Sequence, residues 1–209
     1  MTPNRPALTG YRYSVYTRAA RLALIEKAVA YDYHEHDPFA PGAQGAHPFG
    51  RVPVLHHTGA RFYETAAITA YVDLAFPGPA LMPERPAAVA RAVQVISIVD
   101  AYAYWPLVRQ VYSHAVFRPA MGEPASQQSL REGMERAPAV LAALDEIAAE
   151  GLVLSGPVTR ADCHLAPMIA AFVQAPEGAD LLRRYPALAA WWQDMAGRDS
   201  LHLTETPLP

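Results

Sequence analysis

Hydrophobic and polar positions change rhythm several times along the chain, and each change predicts an element. Leu8 to Tyr16 is rich in Tyr and Thr and reads as a short strand that breaks near Tyr13 or Ser14. From Val15 the rhythm turns helical: Leu22, Ile25 and Val29 line one side, and Arg18, Arg21, Glu26 and Lys27 face another way. Ala30 to Asp37 alternates as a second strand. Pro38 to Gly50 holds too many Pro and Gly residues for a helix and reads as a loop. Val52 to His57 is a third strand, Gly59-Ala60 a turn, Arg61 to Tyr63 a fourth strand, and Thr65 to Ala75 a helix ended by Pro77-Gly78-Pro79. The order is β-α-β, then β-β-α, which predicts a mixed sheet flanked by helices.

After Pro83 the strand signals fade. Pro86 to about Val116 is one long helical pattern, with Val89, Val93, Ile96, Val99 and Tyr102 near one face and Pro106 expected to kink it. Gln127 to Glu150, Thr159 to Gln174 and Tyr185 to Gly197 are further helices, Pro138 being a second candidate kink. The pattern therefore divides into an α/β domain over residues 1–80 and an all-helical domain over 86–209, joined by a linker across 76–85.

Composition narrows the function classes. Hydrophobic residues make up 52% of the 209 and charged residues 18%, ample for a core. Net charge is −3, with one lysine, Lys27, against sixteen arginines and no basic stripe, which argues against nucleic acid. The single cysteine, Cys163, excludes an internal disulfide and a C-x-x-C pair, and suits a reducing, cytoplasmic setting. Met1 to Leu8 has no apolar run and is not expected to be a signal peptide. No stretch is expected to supply the roughly 20 apolar residues of a membrane span. The histidines are scattered, no three or four converge in sequence, and no metal site is expected. No phosphate-cradling glycine motif is present.

A proline between Val52 and Val54 is out of place in a strand, because it cannot donate to the ladder. Soon after it, Glu64-Thr65 opens a helix. A backbone edge and a helix N-terminus are thus set near each other in sequence, a pairing suited to a small, charged, peptide-like ligand. Thr159 and Asp162 form a capping box, with Val158 and Cys163 at the flanking staple positions. This is a folding signal, and Cys163 reads as a buried, inert thiol.

Four segments together resemble the cytosolic glutathione transferases. They are Ser14-Val15-Tyr16-Thr17-Arg18-Ala19-Ala20-Arg21-Leu22; His47-Pro48-Phe49-Gly50-Arg51-Val52-Pro53-Val54-Leu55, similar to N-P-x-G-x-V-P-x-L; Glu64-Thr65-Ala66-Ala67-Ile68-Thr69-Ala70-Tyr71, similar to E-S-x-A-I-x-x-Y; and Thr159-Arg160-Ala161-Asp162. The resemblance runs from about Leu8 to Thr206. It implies a thioredoxin-like N-terminal domain, an all-helical C-terminal domain, and a serine-type, bacterial-like member.

It also implies a chemistry. Glutathione would be the co-substrate, with no metal, and its thiolate would be conjugated to a small apolar electrophile. Isomerisation or dehalogenation through a glutathione adduct is a variant, and a non-catalytic carrier or dimeric scaffold is an alternative. Ser14 is implied as the thiol partner, although a serine before a helix is equally an N-cap. Tyr13 is the second candidate for the catalytic hydroxyl. The resemblance implies that Pro53 follows a cis bond and that the Val52 backbone pairs with the peptide. It gives Thr65 and its amide the γ-glutamyl carboxylate and Glu64 the α-amino group, and an acid at a helix start is also its ordinary place. Tyr102, Trp105 and Tyr112, with Tyr13, are implied as walls of the electrophile pocket, core packing being the other reading. Asp100 either reaches a neighbouring subunit's ligand in a homodimer or is a solvated carboxylate. The segment before Arg51 is short where the family usually has a helix holding the ligand's glycine carboxylate, so Arg51 or His47 is the substitute. The serine in place of cysteine argues against thiol–disulfide exchange.

Overall fold

Strand β1 runs over Ala7–Gly10 and stops there, short of the Tyr13–Ser14 break anticipated from its Tyr- and Thr-rich sequence. Close packing ends it. A Cβ on Gly10 would lie 2.3 Å from Thr17 Cγ2, and the Thr17 hydroxyl accepts the Tyr11 N–H at 3.2 Å, so the chain turns at once into helix α1, Val15–Glu26. The computed structural model describes residues 5–209; the signal-peptide expectation rests in part on residues 1–4, which lie outside the described residues.

Strand β2 is Asp32–Glu35, β3 Val54–His57 and β4 Ala60–Tyr63, and helix α2 is Thr65–Ala75. The sheet order is β2-β1-β3-β4, with β2 parallel to β1 and the other pairs antiparallel. Strand β3 starts two residues later than Val52. Pro53 precedes the ladder, as a residue without an N–H must if the ladder is to stay intact. His36 lies one residue past the end of β2, and its N–H donates to the Gly10 carbonyl at 2.7 Å. Helix α1 packs on α2, and Leu8, Leu22, Leu24, Val54, Leu55, Ile68 and Val72 form the buried core of this unit. Each such side chain contributes about 1.5–3 kcal/mol of burial.

The chain divides into two compact units, Met1–Leu81 and Met82–Pro209. Leu81 is buried, and its N–H donates to Asp73 Oδ1 at 2.8 Å. The same carboxylate meets Lys27 Nζ at 3.3 Å, a buried ion pair joining the ends of α1 and α2.

The second unit is helical throughout. Helix α3, Pro86–Ile98, opens with proline at its first turn, where the missing N–H costs nothing. From Val99 to Phe117 the chain winds in the wider π form, passing into the single turn α4, Arg118–Ala120. Pro106, where a kink is expected, lies inside this π segment, and the chain stays helical through it. Contrary to the sequence expectation, the continuous run Pro86–Ala120 is long and apolar enough to cross a membrane by length and composition alone. Its apolar side has another use here, because the π segment packs on α5 (Gln127–Ala149) and α6 (Arg160–Phe172). Gly133 permits the approach: a Cβ there would sit 2.7 Å from Gln110 Cβ and 2.9 Å from the Pro106 carbonyl.

Helix α6 is buried on every side from Ala161 to Phe172, which explains its apolar residues all round. Its capping box is formed in full, with Asp162 Oδ2 accepting from the Thr159 N–H at 2.7 Å and hydroxyl at 2.6 Å. Asp162 Oδ1 also accepts from Trp191 Nε1 at 2.7 Å, tying α6 to α8, Pro186–Ala196. Two short helices, α7 at Pro176–Leu182 and α9 at Asp199–His202, went unread in the sequence.

Candidate functional site

Register brings the first unit's candidates to one end of its sheet. Thr9 pairs with Val54, and Val54 with Tyr63, so the exit of β1, the entry to β3 and the exit of β4 lie side by side. Ser14 follows the first, Arg51, Val52 and Pro53 precede the second, and Glu64 and Thr65 follow the third. Because β2 is parallel to β1, Gly10 lies opposite Glu35, and the segment leading to His47 leaves from that same end. The sequence showed these residues as three separate motifs, and the ladder makes them neighbours.

Ser14 is the N-cap of α1: its Oγ accepts from the Thr17 N–H at 3.2 Å. That bond uses an oxygen lone pair, and the hydroxyl proton is left to be donated elsewhere. The cap reading and the thiol reading are therefore compatible in one side chain. Tyr13 is partly buried, with its ring edge-on to Tyr11 at 5.4 Å.

A network that sequence reading missed holds this turn. Glu35 Oε1 accepts from both the backbone N–H (3.1 Å) and Nε (3.2 Å) of Arg12, and Glu35 Oε2 accepts from the Tyr33 hydroxyl at 2.8 Å. Burial pushes the Glu35 carboxyl up, but these donors outweigh it and hold the group below its ordinary value. Burial, reinforced by Glu35, raises the Tyr33 phenol. The Tyr33–Glu35 spacing on one strand face was the available signal; nothing in the sequence pointed Arg12 at it.

The Val52–Pro53 bond is cis, and Val52 lies beyond the last ladder pair, with Pro53 buried behind it. Arg51 is exposed at the rim. Glu64 occupies φ 65°, ψ 122°, a conformation side-chain-bearing residues rarely adopt, at a cost of about 1–3 kcal/mol. Its side chain makes no cap bond to α2, in contrast to Ser14 on α1. Thr65 is buried directly after it.

His47 is turned toward Glu64. Its Nδ1 accepts from the Phe49 N–H at 3.1 Å, and its Nε2 lies 3.5 Å from Glu64 Oε1. Burial lowers its pKa, the Glu64 carboxylate works against that, and Arg51 and Arg61 add to the lowering, so the net shift is downward and the ring is neutral near pH 7. With Nδ1 accepting, the ring proton sits on Nε2.

Other candidates lie in the second unit. Tyr102 (66% exposed) and Trp105 (56%) stand out from the bundle, whereas Val108 is buried and Tyr112 partly so, with its ring 6.1 Å from Phe117. Core packing is thus excluded for Tyr102 and Trp105. Asp100 is exposed on the same rod. Cys163 is buried and in no disulfide. Among the described residues no group of three or more His, Cys, Asp or Glu is placed to hold a metal.

Comparison with known proteins adds independent findings. Residues 8–80 match the family model described as glutathione S-transferase, N-terminal domain, and residues 127–193 match glutathione S-transferase, C-terminal domain. Glutathione S-transferase F13 of Arabidopsis thaliana is 27% identical over 199 residues, 91% of this chain and 90% of the relative. Glutathione S-transferase 4 of Zea mays is 28% identical over 207 residues, covering 96% and 92%. Among solved structures, glutathione transferase F7 of Populus trichocarpa has a TM-score of 0.82 at 22% identity, covering 95% of this chain and 97% of that one. The theta class enzyme of Xanthomonas axonopodis pv. citri, with glutathione bound, also scores 0.82 at 23% identity, covering 99% and 100%. These two structures establish the fold.

Proposed function

The chain belongs to the glutathione S-transferase family, and from that premise we propose that it conjugates the thiolate of glutathione to a small apolar electrophile at the end of the sheet where Ser14, Val52, Glu64 and Thr65 meet. The ladder row Thr9–Val54–Tyr63 is the observation that supports this reading most strongly. One register delivers a hydroxyl at one helix N-terminus, an unpaired stretch of backbone, and a strained acid at another helix N-terminus.

Each part has a role in the proposal. The Val52 backbone pairs with the extended peptide as an added strand would. The γ-glutamyl carboxylate lies at the N-terminus of α2, with Thr65 and its amide, and Glu64 takes the α-ammonium. Arg51 faces the glycine carboxylate from the rim. The Ser14 hydroxyl donates to the sulfur. A free thiol has a pKa near 8.5 and is mostly protonated at pH 7. One charge-assisted bond of about 1.5–3 kcal/mol lowers that by roughly one to two units, and the positive end of α1 acts in the same direction. The rest of the rate comes from holding the two reactants together. Within the first unit Tyr13 serves the electrophile's side, and the working form is a cytoplasmic homodimer in which Asp100 reaches the partner's ligand.

Calorimetry with glutathione, followed by conjugation of a chlorodinitrobenzene-type substrate by wild type and Ser14→Ala, tests the proposal. Binding with loss of rate in the variant supports it, and an unchanged rate removes Ser14 from the mechanism. The stretch between β2 and β3 contains turns and no helix, which favours, as the second reading, a binding module without catalysis. Binding without turnover of any electrophile would select that reading.

A further inference from the structure

We propose that His47 is a positioning residue for Glu64: a buried imidazole that steers one oxygen of the Glu64 carboxylate so that the other is presented to the ligand's α-ammonium. The inference rests on the glutathione reading above and names a specificity determinant within it. His47 stands where the family-like motif carries Asn, and it had been a candidate for the opposite end of the ligand.

Three features of the geometry lead to this. The Glu64 side chain is 64% exposed and that of His47 only 3%, so a solvent-facing carboxylate rests against a buried ring. The ring is fixed from both sides: Nδ1 is occupied by the Phe49 N–H, and the rings of Phe49 and Tyr63 flank it at 5.8 and 5.1 Å. With Nδ1 accepting, the N–H of a neutral ring is on Nε2, the atom 3.5 Å from Glu64 Oε1, a polar contact somewhat longer than an ordinary N–H···O bond. Glu64 needs such a guide because its backbone is set in a left-handed conformation and its side chain does not bond to α2. Neutrality of the ring matters to the function. An imidazolium would compete with the ligand's ammonium for the same carboxylate, whereas a neutral N–H orients that carboxylate and leaves its charge intact.

Two substitutions separate the ring's two bonds. In His47→Asn the side-chain oxygen occupies the place of Nδ1 and keeps the Phe49 N–H satisfied, but nothing reaches Glu64. In His47→Gln the amide nitrogen occupies the place of Nε2 and keeps the donor to Glu64, while the Phe49 bond is lost. The expected results are a KM for glutathione about five- to tenfold higher in His47→Asn, with kcat and melting temperature unchanged. His47→Gln should show a KM close to wild type and a lower melting temperature. With glutathione lacking its α-amino group, His47→Asn and wild type should have the same KM. An unchanged KM in His47→Asn, or a penalty that persists with the deaminated peptide, overturns the assignment. The pair is also read without ligand, by NMR titration of His47. Glu64→Gln removes the charge that opposes the lowering, so the imidazole pKa should fall further. An unchanged titration overturns the pair itself, whereas a wild type that does not bind glutathione overturns the transferase reading and with it the ligand half of this inference.

Discussion

Removing the Asp162 carboxylate should be among the most damaging single changes in the helical unit. Asp162 is 3% exposed, and it accepts three donors, the Thr159 N–H and hydroxyl on one oxygen and the Trp191 indole N–H on the other, at 2.6–2.7 Å. Burial pushes its carboxyl pKa up, the donors pull it down, and burial wins, so the bonds offset a real desolvation cost without abolishing it. In Asp162→Ala the Thr159 N–H and the Trp191 N–H both lose their partners in buried surroundings. At about 1–3 kcal/mol for each stranded donor the loss is about 2–6 kcal/mol, a large share of a total stability of about 5–15 kcal/mol. Asp162→Asn should lose about half as much, because its amide oxygen serves one side and its NH2 group confronts a donor on the other. Combining it with Trp191→Phe removes that confronting donor and should recover part of the loss. Urea unfolding followed by circular dichroism reads the midpoint for each variant, with the slope unchanged if only stability has moved. An Asp162→Ala midpoint within about 1 kcal/mol of wild type would show that these bonds do not dock α6 to α8.

Two further predictions concern buried charge. Lys27→Met leaves Asp73 buried beside the Leu81 N–H without its cation, and should cost about 3–5 kcal/mol in chemical unfolding; a near-neutral result would deny the pair its role in closing the first unit. His164 is fully buried, and burial, then the charge of Arg160, lowers its pKa from 6.5 to about 3. The folded state thus stays neutral while the unfolded chain takes a proton below pH 6.5, so stability is complete above that value and falls as pH drops toward 3. Urea midpoints from neutral to acid pH should fall less steeply in His164→Asn than in wild type, and equal slopes would refute the assignment.

How much of this was legible in the sequence depended on whether local chemistry or packing decided the outcome. Helix α2 was read to the residue, because Glu64-Thr65 and Pro77-Gly78-Pro79 are local signals that nothing distant overrides. The capping box at Thr159 was read for the same reason. Strand β1 was read too long, since Tyr11, Tyr13 and Tyr16 favour strands while the contact of Gly10 with Thr17 turns the chain away. The π winding after Val99 has no signal in the sequence, because proline alone predicts a break and no residue pattern marks the wider turn. Helix α7 carried its own signal, Pro176 at the first turn, but is too short to show periodicity. In the site, the residue types at Ser14, Val52, Glu64 and Thr65 were visible, and their convergence was not, since it comes from ladder register. The left-handed backbone at Glu64 had no sequence sign, because glutamate is not a residue that marks such a position. Trp191 as a partner of Asp162, and Glu35 as the anchor of the Ser14 turn, are separated from their partners by 29 and 23 residues and belong to tertiary structure alone.

The central claim is that Ser14 both caps α1 and stabilises the glutathione thiolate, and the most direct test is an ultraviolet titration of the thiol in the protein–glutathione complex for wild type and Ser14→Ala. The wild-type complex should ionise about one to two pH units below the free thiol value of about 8.5. Ser14→Ala should return the thiol close to that value, with only about 1 kcal/mol lost from the fold for the missing cap. Equal thiol pKa values in the two complexes would contradict the account.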